Sequence, residues 1–255
     1  MKDAYTLAWS FRNRKDILFQ SIKSAHDNCP LDVDFQLVDA ASDEDTIRSL
    51  REFCNTLEGR KIRICECSYR SSLSEAWNLC MMLTENRWVI FTSSDVLFQK
   101  SGWFDRLKSS SSPYTLMNNH AVFCLDKKSI PIMGWFDETF KAGPHFDPDL
   151  MIRASEAGIM LQNIGNDGYF IHGDEADLEV AKDRHNTEVK DRLPMNNYYN
   201  EDYFKMKWEC DWPGWRDAIE RGEVHLPHPP THISQVVRKL IEKDPHPTYT
   251  EKCYT

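Results

Sequence analysis

The 255-residue chain lacks any apolar run near the roughly 20 residues that a membrane-spanning helix needs. Its opening stretch, MKDAYTLAWS, lacks the apolar core of a secretory signal. Both absences set the expectation of a cytoplasmic protein without a transmembrane segment, or of one peripheral to a membrane. A basic excess is missing as well. The 31 Lys and Arg stand against 40 Asp and Glu, a net charge of −9, which argues against a nucleic-acid-binding face, since such a face clusters positive charge. A nucleotide ligand stays open, because a bound cation and a few local Arg or Lys residues can hold a diphosphate. The eight cysteines, at 29, 54, 65, 67, 80, 124, 210 and 253, include no CxxC pair. Cys65 and Cys67 lie two apart in the alternating segment IRICECS and face one side of a strand, poor spacing for a closed zinc site. Free thiols of a reducing compartment, mostly small core residues, are the expectation. Internal repeats are absent, and the one low-complexity patch is the serine run before Pro113.

What is present is an ordinary globular composition, 41% hydrophobic and 28% charged. The length suits one large domain or two small ones. The chain is organised around Trp88 to Gln99, WVIFTSSDVLFQ. The apolar run Trp88 to Phe91 reads as a buried central strand. Thr92, Ser93, Ser94 and Asp95 cut it off with small polar side chains and a carboxylate. Open α/β sheets place ligands at the carboxyl ends of their strands, and a carboxylate among small residues can reach a hydrated divalent cation. Asp95 is therefore the candidate metal anchor, with a solvated turn aspartate as the alternative.

Upstream, Tyr5 to Trp9 reads as a strand, Ser10 to Arg14 as a loop, and Lys15 to Asn28 as a helix stopped by Cys29 and Pro30. Asp34 to Val38 follows as a second strand, with Asp43 capping a helix over Thr46 to Leu57 and Gly59 closing it. Ile62 to Cys67 alternates like a third strand, and Leu73 to Leu83 reads as a helix packed through Leu73, Ala76, Trp77, Cys80 and Leu83. Strand and helix alternating to Phe91 predicts a doubly wound, mainly parallel sheet. Right-handed crossovers then leave the loops at 10–14, 39–43, 68–74 and 92–95 on one edge.

The second half predicts a short helix over Gly102 to Lys108 and two further strands, Tyr114 to Leu116 and Ala121 to Leu125. A helix over Pro148 to Ala157 follows, with Asp147 as its cap and Gly158 at its end. Met160 to Ile164 and Tyr169 to Ile171 read as strands, the latter delivering His172. Asp174 to Asn196 is charged and expected to be partly helical, Asn197 to Trp208 reads as a helix, and short helical pieces follow Pro213. The histidines His225, His228 and His232, interleaved with prolines, read as an extended tail rather than a metal site.

Several of these segments together resemble one family. Ser10, Phe11, Asn13 and Arg14 are similar, with one residue inserted, to a Ser-aromatic-Asn-Arg loop after a first strand. VDAASDEDT at Val38 to Thr46 is similar to a Val-Asp-(Asp/Asn)-Gly-Ser strand end, and Ser74, Ala76 and Asn78 match an Ala-x-Asn helix with Arg70 just ahead. Ser93, Ser94, Asp95 and Val96 fall on an Asp-x-Asp metal motif whose first acid is missing here. Gly134, Trp135, Phe136, Asp137, Glu138 and Phe140 repeat a Gly-(Gly)-Phe-Asp-Glu-x-Phe segment almost intact. Asp147, Asp149, Leu150 and Arg153 match a Glu-Asp-x-Asp-Leu-x-x-Arg motif, and YFKMKW at Tyr203 to Trp208 is similar to a Tyr-x-x-Lys-Trp-Gly segment, with Glu209 in place of the glycine. Over roughly residues 4–210 the sequence thus resembles the GT-A fold glycosyltransferases of family 2.

The resemblance implies an α/β, Rossmann-like, mostly parallel central sheet flanked by helices, with a small antiparallel acceptor-side part and a C-terminal helical tail. It implies one domain over 1–210, divided into a nucleotide-binding half (1–100) and an acceptor half (101–210), with 211–255 as an extension packed on it. The implied activity is inverting transfer of a hexosyl or deoxyhexosyl group from a nucleoside-diphosphate sugar to a hydroxyl of a glycan, protein or lipid-linked acceptor, assisted by Mn²⁺ or Mg²⁺. Asp147 becomes the base, with an N-cap role as its rival. Asp95 and His172 become metal ligands, and Ser10, Asn13, Arg14, Asp39, Arg70 and Ser94 contact the donor. Trp135, Phe136 and Asp149 face the substrate, although core packing for the aromatics and a helix-dipole role for Asp149 stay open. A non-catalytic nucleotide-sugar or glycan-binding relative is the alternative, kept open by Ser93. A nucleotidyltransferase is disfavoured because SFRNRKD has no glycine to wrap a triphosphate.

Overall fold

In the computed structural model the described residues are 1–118, 120–140, 146–172, 197–208 and 248–250. The predicted Asp174–Asn196 segment, the histidines of the tail and the rest of 211–255 apart from 248–250 lie outside them.

The first half alternates as predicted: β1 (Lys2–Phe11), α1 (Lys15–Asn28), β2 (Asp34–Asp39), α2 (Glu44–Cys54), β3 (Ile62–Glu66), α3 (Leu73–Leu83) and β4 (Asn86–Thr92). β1 pairs in parallel with β2 on one side and β4 on the other, and β2 pairs in parallel with β3. The carboxyl ends of all four strands therefore share one edge.

Residues alternate between the two faces of this sheet. Leu7, Trp9, Phe35, Leu37 and Ile90 pack under α1 and α2, while Ala8, Val38, Val89 and Phe91 pack under α3 with Trp77 and Phe136. Burial on both faces explains why β4 reads as a continuous apolar run. Cys65 and Cys67 join the same core, as their spacing predicts.

The second half gives β5 (Val96–Phe98), α4 (Trp103–Lys108), β6 (Tyr114–Asn118), β7 (Val122–Asp126), α5 (Ile130–Met133), α6 (Phe146–Glu156), β8 (Leu161–Asn163), β9 (Phe170–His172), α7 (Asn197–Trp208) and β10 (Thr248–Thr250). The central sheet runs β10-β3-β2-β1-β4-β7-β6-β8, and β5 with β9 forms a separate two-stranded sheet. β7 is antiparallel to both β4 and β6, which supplies the antiparallel part.

Several boundaries differ from the sequence reading. β1 runs on to Phe11, so Ser10 is a strand residue paired with Val38 and not part of the loop. α2 ends at Cys54, three residues early, because the chain turns there with Leu57 N–H bonded to Cys54 C=O. Leu73, expected in the core, is 39% exposed at the first position of α3. Asp147 lies within the first turn of α6 and does not precede it. Thr248–Thr250 adds an antiparallel edge strand beside β3, where the tail is expected to be helical; Thr-Tyr-Thr is strand-prone and an unpaired sheet edge takes it up.

Candidate functional site at the carboxyl edge of the sheet

The loops after β1 and β2 are stitched together. Ala41 adopts a left-handed φ of 61°, which turns the chain so that Ser42 N–H reaches back to the Asp39 carboxylate at 3.0 and 3.1 Å. Ser42 Oγ accepts from Asn13 N–H at 2.7 Å, and Asn13 Oδ1 accepts from Asp43 N–H at 3.0 Å. Asn13 and Arg14 both sit at φ 55°, a conformation that non-glycine residues hold at a cost and that clusters at functional loops. Burial pushes the Asp39 carboxyl up to about 6, against the Ser42 hydrogen bonds that favour its charged form.

Arg70 precedes α3, whose start is a capping box: Glu75 N–H donates to Ser72 Oγ and Ser72 N–H to the Glu75 carboxylate. Asn78, fully buried, donates to Phe136 C=O and Glu138 Oε1 and accepts from Phe136 N–H. Two of the motifs read from the sequence thus meet, and their meeting is structural.

Beyond β4, Ser93 N–H is bonded to Ala121 C=O and the chain turns through Ser94 into Asp95. β5 then pairs with β9 in the register Val96 to His172. That register brings His172 Nε2 to 3.3 Å from Asp95 Oδ1. Among the described residues no group of three or more His, Cys, Asp or Glu side chains gathers into a metal site. A carboxylate and an imidazole fit a divalent cation that takes its remaining ligands from water and diphosphate oxygens, the usual habit of Mg²⁺ at phosphates.

Asp147 reaches the same edge from α6. Thr92 at the end of β4 pairs with Val122 at the start of β7, so the β6–β7 turn lies beside the β4 loop. His120, in that turn, places Nδ1 3.2 Å from Asp147 Oδ2 and Nε2 2.7 Å from the Tyr114 hydroxyl. Nothing in the motifs pointed to His120 or Tyr114; they are joined to Asp147 only by tertiary packing.

Two substrate-facing expectations are corrected. Phe136 is fully buried and packs against Trp77, Phe91 and Phe123, leaving no ring face for a sugar. Trp135 is partly buried against the same core. Asp149, also fully buried, accepts from Arg153 at 2.7 and 3.0 Å, from Trp208 Nε1 at 3.0 Å, and pairs with Lys207 at 2.6 Å. Lys207 bridges onward to Asp137 at 2.8 Å, where Tyr203 also donates. Burial alone would raise the Asp137 carboxyl, but Lys207 and the hydrogen bonds hold it well below the usual carboxylate range. Asp149 is the centre of a paired network clamping α7 to α6, not a ligand contact.

A surface groove of about 470 Å³, lined by Phe19, Lys23, Phe53, Leu97 and Gln99, contains none of these site residues. No helix among the described residues is long and apolar enough to cross a membrane.

Residues 9–109 match the family model of glycosyl transferase family 2. No curated protein sequence matches the chain. Among solved structures, the S. aureus TarS 1–349 structure is 12% identical with a TM-score of 0.56, over 79% of this chain and 69% of that one. The mannosyltransferase PcManGT from Pyrobaculum calidifontis, in complex with GDP-Man and Mn²⁺, is 11% identical with a TM-score of 0.58, over 96% and 81%. GalNAc-T7 with UDP, GalNAc and Mn²⁺ is 11% identical with a TM-score of 0.55, over 94% of this chain and 54% of that one.

Proposed function

The chain has the GT-A glycosyltransferase fold and its residues 9–109 match glycosyl transferase family 2, and from that premise we propose that it transfers a hexosyl or deoxyhexosyl group from a nucleoside-diphosphate sugar to an acceptor hydroxyl with inversion. The observation that carries the reading is the presence of Asp39, Asp95 and Asp147 on one edge of the sheet, delivered by β2, β4 and α6.

In this reading the donor's base meets Asp39, and Asn13, Arg14, Arg70 and Ser94 line the diphosphate, with Ser10 behind them. Asp95 and His172 hold a divalent metal, Mn²⁺ or Mg²⁺, whose charge stabilises the departing diphosphate when bound. Asp147 takes the proton of the acceptor hydroxyl as that oxygen attacks the anomeric carbon. The carbon–oxygen bond to the nucleoside diphosphate breaks on the opposite face, so the anomeric configuration inverts. Structural neighbours in complex with UDP-GlcNAc and with GDP-Man and Mn²⁺ support the donor class. Residues 1–100 then serve the donor and 101–210 the acceptor, a glycan, protein or lipid-linked alcohol. The pairing of Thr248–Thr250 with β3 supports an extension packed on the same domain. A soluble or membrane-peripheral protein of the cytoplasm fits the free buried thiols.

A thermal-shift panel of nucleotide sugars, each with Mn²⁺ or with chelator, tests this. A ligand at 100 times its Kd stabilises the folded state by about 2.7 kcal/mol. If no nucleoside diphosphate or its sugar raises the melting temperature with metal present, the donor site is lost. Binding without turnover across candidate acceptors would favour the non-catalytic relative, the alternative that Ser93 at the first metal position keeps open.

A further inference from the structure

We infer that His120 is a positioning residue for transfer: its Nδ1–H pins one oxygen of Asp147 so that the other faces the acceptor hydroxyl. The inference rests on the reading of Asp147 as base.

The geometry fixes which proton His120 carries. Its Nε2 is 2.7 Å from the Tyr114 hydroxyl and its Nδ1 is 3.2 Å from Asp147 Oδ2. Were Nε2 to hold the proton of a neutral ring, the Nδ1 lone pair would face a carboxylate oxygen. The stable arrangement has Tyr114 donating to Nε2 and Nδ1–H donating to Asp147. Both ring nitrogens are then engaged, so His120 cannot itself take the acceptor's proton. Asp147, with Oδ1 outside the pair, can.

The surroundings hold the ring in place and neutral. His120 sits in the β6–β7 turn, bridged to Asn118, with its ring 5.3 Å from that of Phe123. Burial lowers the His120 pKa, opposed by Asp147, and burial keeps the Tyr114 phenol protonated, with Asp147 acting in the same sense and Arg153 against it. A side chain 27% exposed would otherwise rotate freely about its carboxyl carbon, and misplacement of a base by about 1 Å can slow a reaction by around a hundredfold.

Amide substitutions separate the two ring nitrogens. The amide nitrogen of asparagine falls near the place of Nδ1, and that of glutamine near Nε2. His120→Ala and His120→Gln are expected to lower kcat by about ten- to a hundredfold with the donor KM unchanged, and His120→Asn to recover most of it. A purely packing role would show Asn and Gln alike, with loss tracking the melting temperature. Independently of turnover, ¹⁵N NMR of histidine-labelled protein is expected to show His120 protonated on Nδ1, with that signal shifting in Asp147→Ala. An Nε2–H tautomer, or an Asn variant as slow as Ala, overturns the inference. Turnover retained by Asp147→Asn would remove the base reading and this role with it, whereas turnover lost in Asp147→Asn but untouched in all His120 variants removes this role alone.

Discussion

His172 Nε2 lies 3.3 Å from Asp95 Oδ1 because the two-stranded sheet sets Val96 opposite His172. The pair is made from residues 77 positions apart in sequence, and β5 and β9 have this register as their shared feature. If the pair holds the cation, wild-type protein with UDP or GDP and Mn²⁺ should melt higher than with chelator. Asp95→Ala should abolish the Mn²⁺-dependent part of that shift and His172→Ala reduce it. An unchanged Mn²⁺-dependent shift in Asp95→Ala, read by differential scanning fluorimetry, would place the metal elsewhere.

Asp147 is expected to act on the chemical step alone. Asparagine keeps the shape and the partner of Oδ2 but cannot accept a proton, and general-base catalysis is worth about 10²- to 10⁴-fold. Asp147→Asn should lose transfer by that factor while its thermal shift with donor and metal stays as in wild type. Loss of the thermal shift as well would make Asp147 a binding residue.

The clamp between α6 and α7 is the clearest stability prediction. Lys207 and Arg153 balance Asp137 and Asp149 in a buried network. Lys207→Met would leave the Asp137 carboxylate buried without its cation while Asp149 keeps Arg153, which costs about 3–5 kcal/mol and, at about 2–4 °C per kcal/mol for a chain of this size, roughly 10 °C in Tm. The Asp137 carboxyl is depressed in the folded state, so its stabilisation is present above the unfolded-state pKa and lost as pH falls. The gap between Lys207→Met and wild type should therefore narrow below about pH 4. A pH-independent gap would mean that Lys207 acts through packing of its stem.

The helices α1 and α3 and the parallel core were legible because their apolar positions recur with one period and their caps are local: Lys15–Asn28 and Leu73–Leu83 have the boundaries their sequences predict. The strand-end carboxylates Asp39 and Asp95 were legible for the same reason, since a buried apolar run ending in a polar residue marks the sheet edge. Phe136 and Asp149 were not, because a motif match carries no information about which way a side chain points. Phe136 could face a sugar or the core equally well on sequence, and burial against Trp77 decides it. His120 was invisible because its two partners, on β6 and α6, come together only through the antiparallel return of β7.

Asp39 gives a pH prediction of opposite sign to Asp137. Burial raises its carboxyl to about 6 in the folded state, while an unfolded aspartate releases its proton near pH 4. Between those values the folded state binds more protons, so stability is lost as pH rises through this window. Asp39→Asn removes the charge and retains an acceptor for Ser42 N–H. Its Tm relative to wild type should climb from pH 4 to pH 6 and level off above, a gain on the order of 2 kcal/mol. A flat difference across that range would show that Asp39 is ionised as readily in the fold as out of it. If Asp39 meets the donor's base as proposed, the same variant should weaken donor binding, since a carboxylate accepts from a nucleobase N–H more strongly than an amide oxygen does.

Asn78 tests whether the joint between α3 and the Gly134–Phe140 segment is held by hydrogen bonding or by shape. Its amide donates to Phe136 C=O and Glu138 and its oxygen accepts from Phe136 N–H, at a fully buried position. Asn78→Ala removes the side-chain partner of the Phe136 N–H and C=O; loss of a partner to a buried group costs about 1–3 kcal/mol. Asn78→Asp keeps the acceptor for Phe136 N–H, yet it loses both donors and brings a carboxylate against Glu138. The aspartate variant should therefore be the less stable of the two at neutral pH and recover as acid protonates the pair. In urea titrations both should lower the midpoint with an unchanged m value, because the joint is local and the denatured chain is unaffected. If Asn78→Asp matched wild type at pH 7, the donor bonds would contribute nothing and packing of Trp77 and Phe136 alone would hold α3 in place.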